Sequence, residues 1–425
     1  MRRTMRTLTM WTAIALVATA CSSTPTADSN AEPTLRVFGN HRGADAEAFR
    51  TVLDEFTRQT GIETSYVGTA AFATRIQERV RDGDPPDVAL FPQPAILTDM
   101  ARAGYLTALD GDAAAAVEEG YADWAVDLVT VDQEVYGAWF RISLKSLVWY
   151  PPQVFAAQGY EVPTTWDELE ALTIQMVGDG FTPWCLGMES FGATGWVGTD
   201  WVEDLVLRLH GPAVYDQWTS GEIPFTDERI EAAFAEFGKV ALQPGQVAGG
   251  RRAILSVPAL AAINPMFNDP PGCLLTRQGS FQEGDLPEDV TIGPEGDVDV
   301  FVLPPMDTAT APLLASGEVA ATFSDSEEAQ ALVAFLANPQ SGVPWAAVGG
   351  YNSPHVGFDP AVYGSELERR LDSLLRAADV VRFDGSDLMP PTVGTGTFWS
   401  GIIDYVAGEP LDSVLDDIQA GYPDE

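Results

Sequence analysis

The residues best suited to acid–base, nucleophilic or metal chemistry are scattered in this sequence. Its three histidines, His41, His210 and His355, stand far apart, so no two have the spacing of a metal site. There is no G-x-S-x-G nucleophile turn, no phosphate-cradling P-loop, no G-x-G-x-x-G and no H-E-x-x-H. The chain carries 62 acids, so carboxylate pairs such as Glu203-Asp204 arise readily, and none stands out as a glycosidase pair. Aromatic residues behave differently. Trp184, Trp196 and Trp201 fall within residues 182–201, a stretch that also holds Gly187, Gly192, Gly195 and Gly198. Large rings on a Gly-rich loop form a flat apolar platform with polar neighbours, as opposed to a core stripe. A sugar offers such a platform its C–H faces, while its hydroxyls need Asp, Asn, Gln, Arg or Lys.

The elements that must position these residues alternate in type. Residues 35–38 read as a short strand ending at Gly39-Asn40. Residues 46–60 place Phe49, Val52, Leu53 and Phe56 at helical spacing, with Gly61 as the stop. A strand over 62–67, a helix over 71–82 and a buried strand over 87–91 follow. Such alternation predicts an α/β sheet covered on both faces, with the ligand crevice at the C-terminal ends of its strands. That rule selects Asn40-His41-Arg42-Gly43 and Pro92-Gln93-Pro94. A second α/β unit begins near 146–150, and Thr165 with Glu168 forms a capping box before a helix. Further strands are expected at 185–188 and 297–303, and helices at 201–210, 326–337, 367–378 and 398–406. A chain of 425 residues exceeds one core and predicts two domains.

The formal charge of −39 would repel phosphate backbones, so no nucleic acid is expected as a partner. Hydrophobic residues make up 46% of the chain, which marks a globular protein and not an acidic disordered one. Arg2, Arg3 and Arg6 precede an apolar run over 10–18 that is too short to span a bilayer, followed by Ala18-Thr19-Ala20 and Cys21. Residues 1–20 therefore read as a signal segment that is removed. The arrangement resembles a bacterial lipobox, although Ala18 replaces the usual Leu, and it implies a diacylated Cys21. Residues 21–33, small and polar with Pro25, read as a flexible tether to the membrane. Cys185 and Cys273 then remain as an isolated pair, most simply a disulfide outside the cytoplasm.

Several short motifs, in this order, resemble those of the maltose-binding-like extracellular solute-binding proteins of carbohydrate ABC importers. They are Asp87-Val88-Ala89-Leu90-Phe91-Pro92-Gln93 with Gly104-Tyr105-Leu106, then Leu144-Lys145-Ser146-Leu147-Val148-Trp149-Tyr150, then Pro183-Trp184-Cys185 with Gly195-Trp196 and Asp200-Trp201. Pro270-Pro271-Gly272-Cys273, Gly349-Gly350-Tyr351-Asn352-Ser353-Pro354 and Gly396-Thr397-Phe398-Trp399 complete the set, and the third and fourth are similar to a subgroup associated with α-glucosides. The resemblance implies a two-lobed α/β periplasmic-binding-protein-like fold of type II with several hinge crossings. It places residues 34–143 and 298–350 in the N-terminal lobe, and 144–297 and 351–425 in the C-terminal lobe. Asn40, Arg42 and Gln93 would contact hydroxyls, and Lys145 would sit between the lobes. Glu189, Trp196 and Trp201 would wall the second lobe, with Gln278 and Phe281 as its floor, and Trp399 would stack on a ring. The implied function is capture of an oligosaccharide or α-glucoside by a monomeric lipoprotein on the outer face of the cell membrane. It would deliver the ligand to permease subunits with no catalytic residue, cofactor or metal. A binder of another solute, such as a polyol or amino sugar, and an extracellular glycoside hydrolase are the competing expectations.

Overall fold

A computed structural model describes residues 34–306 and 311–423. The signal segment, Cys21 and the tether lie outside the described residues.

The alternation of strand and helix in the sequence produces a six-stranded sheet. Its main path runs from Val381–Phe383 through Leu313–Thr322, Val88–Phe91 and Leu35–Gly39 to Thr64–Gly68, and Gly137–Leu144 pairs with Leu313–Thr322. Strand Leu35–Gly39 pairs in parallel with both neighbours, whereas Leu313–Thr322 is antiparallel to Val88–Phe91 and to Gly137–Leu144. Helix Gly43–Thr60 buries Phe49, Val52, Leu53 and Phe56 against this sheet and ends at Gly61 in the left-handed conformation (φ 80°), a backbone state that favours glycine. Helices Phe72–Arg81, Pro94–Arg102 and Glu327–Ala337 complete the first core.

A second core forms around Leu147–Tyr150, which pairs antiparallel with Thr276–Arg277 and Asp299–Val302. Helices Trp166–Gly178, Trp196–Thr219, Glu228–Ala241, Trp399–Ala407 and Leu411–Gln419 pack around it. Thr165 caps the first of these: its hydroxyl accepts from Glu168 N–H, and the Glu168 carboxylate accepts from Thr165 N–H, so the capping box forms as read. Cys185 and Cys273 are joined in a buried disulfide of sequence separation 88.

Two departures from the sequence reading concern regular structure. Residues 185–188 form no ladder; they are held by isolated bonds, Cys185 N–H to Leu275 O and Met188 N–H to Ile254 O, so their apolar run packs without being a strand. The helix expected over 201–210 starts earlier, at Trp196, and continues to Thr219 across a break at Gly211.

Two long strands lead out of the first core toward the second, passing a smaller cluster that contains Leu144, Leu147, Leu313 and the Cys185–Cys273 disulfide. Ala138, Trp139 and Phe140 lie in the first core, while Leu144 and Leu147 lie beyond it. On the partner strand, Val319, Ala320 and Ala321 are in the first core and Leu313 and Leu314 outside it. A third connection follows Asn352, whose carbonyl accepts from Ile142 N–H. The fold is two-lobed, with several crossings in its hinge.

Candidate ligand-binding cleft

A cavity of about 420 Å³ opens where the two cores meet. The chain ends its strands there. Asn40, His41 and Arg42 follow Leu35–Gly39, and Gln93 follows Val88–Phe91, as expected for an α/β sheet. Arg141 and Glu318 reach it from the two long crossing strands, and Lys145 from the turn after Gly137–Leu144. Ser190, Trp196 and Trp399 line it from the second core, with Phe281 at one side; Asp384, Ser386 and Asp387 line it from the loop after Val381–Phe383, where Asp387 O accepts from Ala95 N–H beside Gln93.

Four aromatic rings border this space, Phe72 from the first lobe and Trp196, Phe281 and Trp399. Trp196 and Phe281 meet edge to face at 5.8 Å. Trp399 joins them because Gly195 packs against its backbone: a side chain at 195 would come within 2.4 Å of Trp399 O, and φ is 115° there. Trp196 also lies 5.3 Å from the Lys145 ammonium, a cation–π arrangement.

Behind the wall is a network of buried charges. Lys145 Nζ bonds Asp200 Oδ1 at 2.9 Å and also bonds Asp384. Glu203 accepts from the Gly385 and Ser386 N–H groups at 2.7 and 3.1 Å, which fixes the loop carrying Asp384 and Asp387. Asp204 is held by Ser146, Arg208 and Arg277. Burial alone would lower the Lys145 pKa, but Asp200 and Asp384 raise it, so the ammonium stays charged. Burial pushes Asp200 up to about 7 against the attraction of Lys145. Asp200, Glu203 and Asp384 present carboxylate oxygens within 4.8 Å of one another, a grouping that could hold a metal. Here the Lys145 ammonium serves two of the three as their cation.

On the first-lobe side, Arg141 pairs with Asp45 at 2.7 Å and stacks 4.6 Å over Trp345. Burial, then the charge of Arg141, holds His41 well below its usual range, so it is neutral. Burial pushes Glu318 up to about 7 in spite of Arg141, and burial followed by Asp384 pushes Asp387 well above the carboxylate range.

Of the ten residues selected from sequence, Asn40, Arg42, Gln93, Lys145, Trp196, Phe281 and Trp399 line the cavity. Trp201, Gln278 and Glu189 do not. Trp201 is five residues beyond Trp196 on one helix, about 140° around it at 3.6 residues per turn, and is buried against Trp184 at 5.1 Å and Arg277 at 5.7 Å. Gln278 is buried with its side-chain oxygen accepting from Gly279 N–H. Glu189 accepts from Phe191 N–H at 2.9 Å and so fastens the rim loop whose Ser190, Gly192 and Ala193 do face the cavity. The sequence reading missed Arg141, Glu318, Asp384 and Asp387. A signal existed for the first two: each is a lone charge inside an otherwise apolar strand, in Ala138-Trp139-Phe140-Arg141-Ile142 and Ser316-Gly317-Glu318-Val319-Ala320.

Two cores joined by crossing strands, with a polar and aromatic cavity where they meet, define a two-lobed ligand-capturing protein of the maltose-binding type. The chain belongs to the bacterial extracellular solute-binding proteins, whose family model matches residues 42–270. It is 44% identical over 411 residues to the osmoprotective compounds-binding protein GgtB of Synechocystis sp., covering 96% of this chain and 97% of that one. It is 38% identical over 400 residues to the alpha-glucosides-binding periplasmic protein AglE of Rhizobium meliloti, covering 92% and 87%. Among solved structures it is similar to the bacterial solute receptor AcbH, described as having an exclusive preference for β-D-galactopyranose. The TM-score is 0.78 at 18% identity, over 91% of this chain and 97% of that one.

Proposed function

We propose that this protein captures a small α-glucoside or related polyol between its lobes and delivers it to the transmembrane subunits of an ABC importer. The cavity carries this reading: four aromatic rings and polar groups from both lobes converge on about 420 Å³, toward the small end of ligand pockets. The names of the two curated relatives, one for osmoprotective compounds and one for alpha-glucosides, meet in a compact hydroxyl-rich solute. Contacts to both walls at once would stabilise a closed form, since a ligand shifts a conformational equilibrium only by its differential affinity. The packing supports lobes of residues 34–143 with 315–365, and 144–313 with 366–425, apart from Val381–Phe383, which pairs with Leu313–Thr322 and puts Phe383 in the first core. Strand Asp299–Val302 pairs with Leu147–Tyr150, and Tyr351, Phe358 and Tyr363 pack in the first core.

The reading is capture without turnover, by a monomer held to the outer membrane face through diacylated Cys21. Asn40, Arg42, Gln93, Lys145, Phe281 and Trp196 would hold the ligand, with Trp399 stacked on it. Calorimetry and thermal shift of the chain from residue 22, against methyl α-glucoside, maltose, trehalose, sucrose and glycerol glucosides, test it. The expected result is binding of at least one glucoside, a rise in Tm by mass action, intact ligand on recovery, and an affinity loss of tenfold or more in Trp399→Ala. Hydrolysis of the ligand would overturn the reading in favour of a glycosidase. Mass spectrometry of the mature N-terminus tests the lipid separately.

A further inference from the structure

At one edge of the cavity the two lobes touch through very small side chains. Ala71 opens helix Phe72–Arg81 of the first core, and Gly192 sits in the rim loop between Met188 and Val197 of the second. Both line the cavity, Ala71 beside Phe72 and Gly192 beside Ala193. A Cβ placed on Gly192 would lie 3.3 Å from Ala71 Cβ and 3.9 Å from its Cα. Gly192 is not among the glycines with positive φ. A larger residue there would therefore disturb the approach of Ala71, not the backbone conformation.

The bonds that hold the rim loop come from its own side. Phe191 N–H donates to Glu189 at 2.9 Å, Ser190 N–H to Thr194 Oγ1 at 3.0 Å, and Gly195 N–H to Met188 O at 3.3 Å. Glu189 is fixed in turn by backbone bonds with Val257 and Ala259. The Ala71 backbone is also bonded locally: its N–H donates to Thr69 Oγ1 and its carbonyl accepts from Arg75 N–H. A stiff loop that meets the other lobe by van der Waals contact can part from it and return to the same place. Resting on the capture reading above, we propose that Gly192 against Ala71 is the closing contact of the cleft, and that it sets the size of glucoside retained. A ligand contained within about 420 Å³ leaves the lobes free to meet there. A longer chain projecting past this edge holds Gly192 off Ala71 and forfeits contacts to both lobes, which are what stabilise closure. Bulk at residue 192 acts as such a chain does, since an added side chain has little room against Ala71.

One arm of the test needs no ligand. In the chain from residue 22, Gly192→Cys with Ala71→Cys puts two thiols at a Cβ separation close to the usual disulfide span of about 3.5–4.5 Å. Mild oxidation is expected to crosslink them, read by peptide mass mapping beside the native Cys185–Cys273 bond. A double variant that keeps the parent's Tm and does not crosslink overturns the contact. The binding arm uses calorimetry with trehalose, maltose, maltotriose and maltotetraose. The better disaccharide is expected to bind the parent at least about tenfold tighter than maltotetraose. Gly192→Val should weaken that disaccharide about tenfold by cutting the closed population, with much less effect on maltotetraose and an unchanged ligand-free Tm. Gly192→Ala should show a smaller loss, which Ala71→Gly restores to within about threefold of the parent. Failure of Ala71→Gly to restore affinity overturns the contact as the cause. Equal affinities across the four sugars, or equal weakening of short and long ones by Gly192→Val, overturn the size selection and leave the capture reading standing. A crosslink with no sugar bound overturns the sugar reading, and the size selection with it.

Discussion

Trp196 and Trp201 share a helix and a residue type, yet the structure gives them different surroundings. Trp196 faces the cavity beside Phe281 and Lys145, whereas Trp201 is 1% exposed among Trp184, Phe237 and Arg277. Trp201→Ala should cost about 3–5 kcal/mol of stability, as is usual for a large buried ring. Trp196→Ala should leave denaturant midpoints nearly unchanged and weaken ligand affinity. A midpoint loss in Trp196→Ala as large as that in Trp201→Ala would place both rings in the core. Lys145 poses a related question, because it lines the cavity and also pairs with two buried carboxylates. Removing one partner of a buried pair strands the other charge, at about 3–5 kcal/mol. Lys145→Met should therefore lower stability in the absence of any ligand, measured by urea denaturation, and a variant as stable as the parent would contradict the pairing.

Elements, more than residues, were legible in the sequence, because periodicity and capping are local. The helix that buries Phe49, Val52, Leu53 and Phe56 begins three residues before the expected start, and the Thr165–Glu168 capping box forms as read. The strand-end rule found Asn40, Arg42 and Gln93 for the same reason. Asp384 and Asp387 were not legible, since their loop is held at the cavity by partners distant in sequence: Glu203, some 180 residues earlier, accepts two of its backbone N–H groups, Ala315 O accepts from Asp384 N–H and Asp387 O accepts from Ala95 N–H. Nor could spacing separate Trp196 from Trp201 until the helix start was known. Glu189 lies next to the cavity-lining Ser190 and fastens the rim loop. Phe191 in that loop is 73% exposed and has φ 52°, a left-handed state unusual for a bulky side chain. Its N–H donates to Glu189, and Thr194 Oγ1 donates to its carbonyl at 2.8 Å. Glu189→Ala should release this loop, giving faster ligand dissociation in stopped-flow fluorescence. A single part-exposed hydrogen bond contributes only about 1 kcal/mol, so stability should change little. An unchanged dissociation rate would mean that the fastening has no part in retaining ligand.

At the scale of the whole molecule, the buried acids make stability depend on pH in a direction opposite to that of a surface ion pair. Burial pushes Glu318 up to about 7 and Glu283, beside Glu368, up to about 8. Each therefore holds its proton in the folded chain over a range where the unfolded chain has lost it. Stability rises with pH only where the unfolded state binds more protons, so these groups make it fall. Their contribution is fully present below the unfolded carboxylate pKa, about 4, and is lost as pH climbs through 7 to 8. The net charge of −39 works in the same direction, because self-repulsion in the compact state grows as acids ionise. Groups of the opposite kind set the acid limit: hydrogen bonds from Arg58 and Arg229 lower Glu55 and Asp227 to about 2, and that stabilisation disappears as pH falls from about 4 toward 2. The Tm of the ligand-free protein should thus peak between about pH 4 and 6 and decline steadily to pH 8, when followed by calorimetry at constant ionic strength. The Glu318→Gln variant, which cannot ionise at that position, should show a shallower decline between pH 5 and 8 than the parent. A parent Tm that rises over the same interval would mean that these carboxyls are ionised and paired in the fold, contrary to their burial.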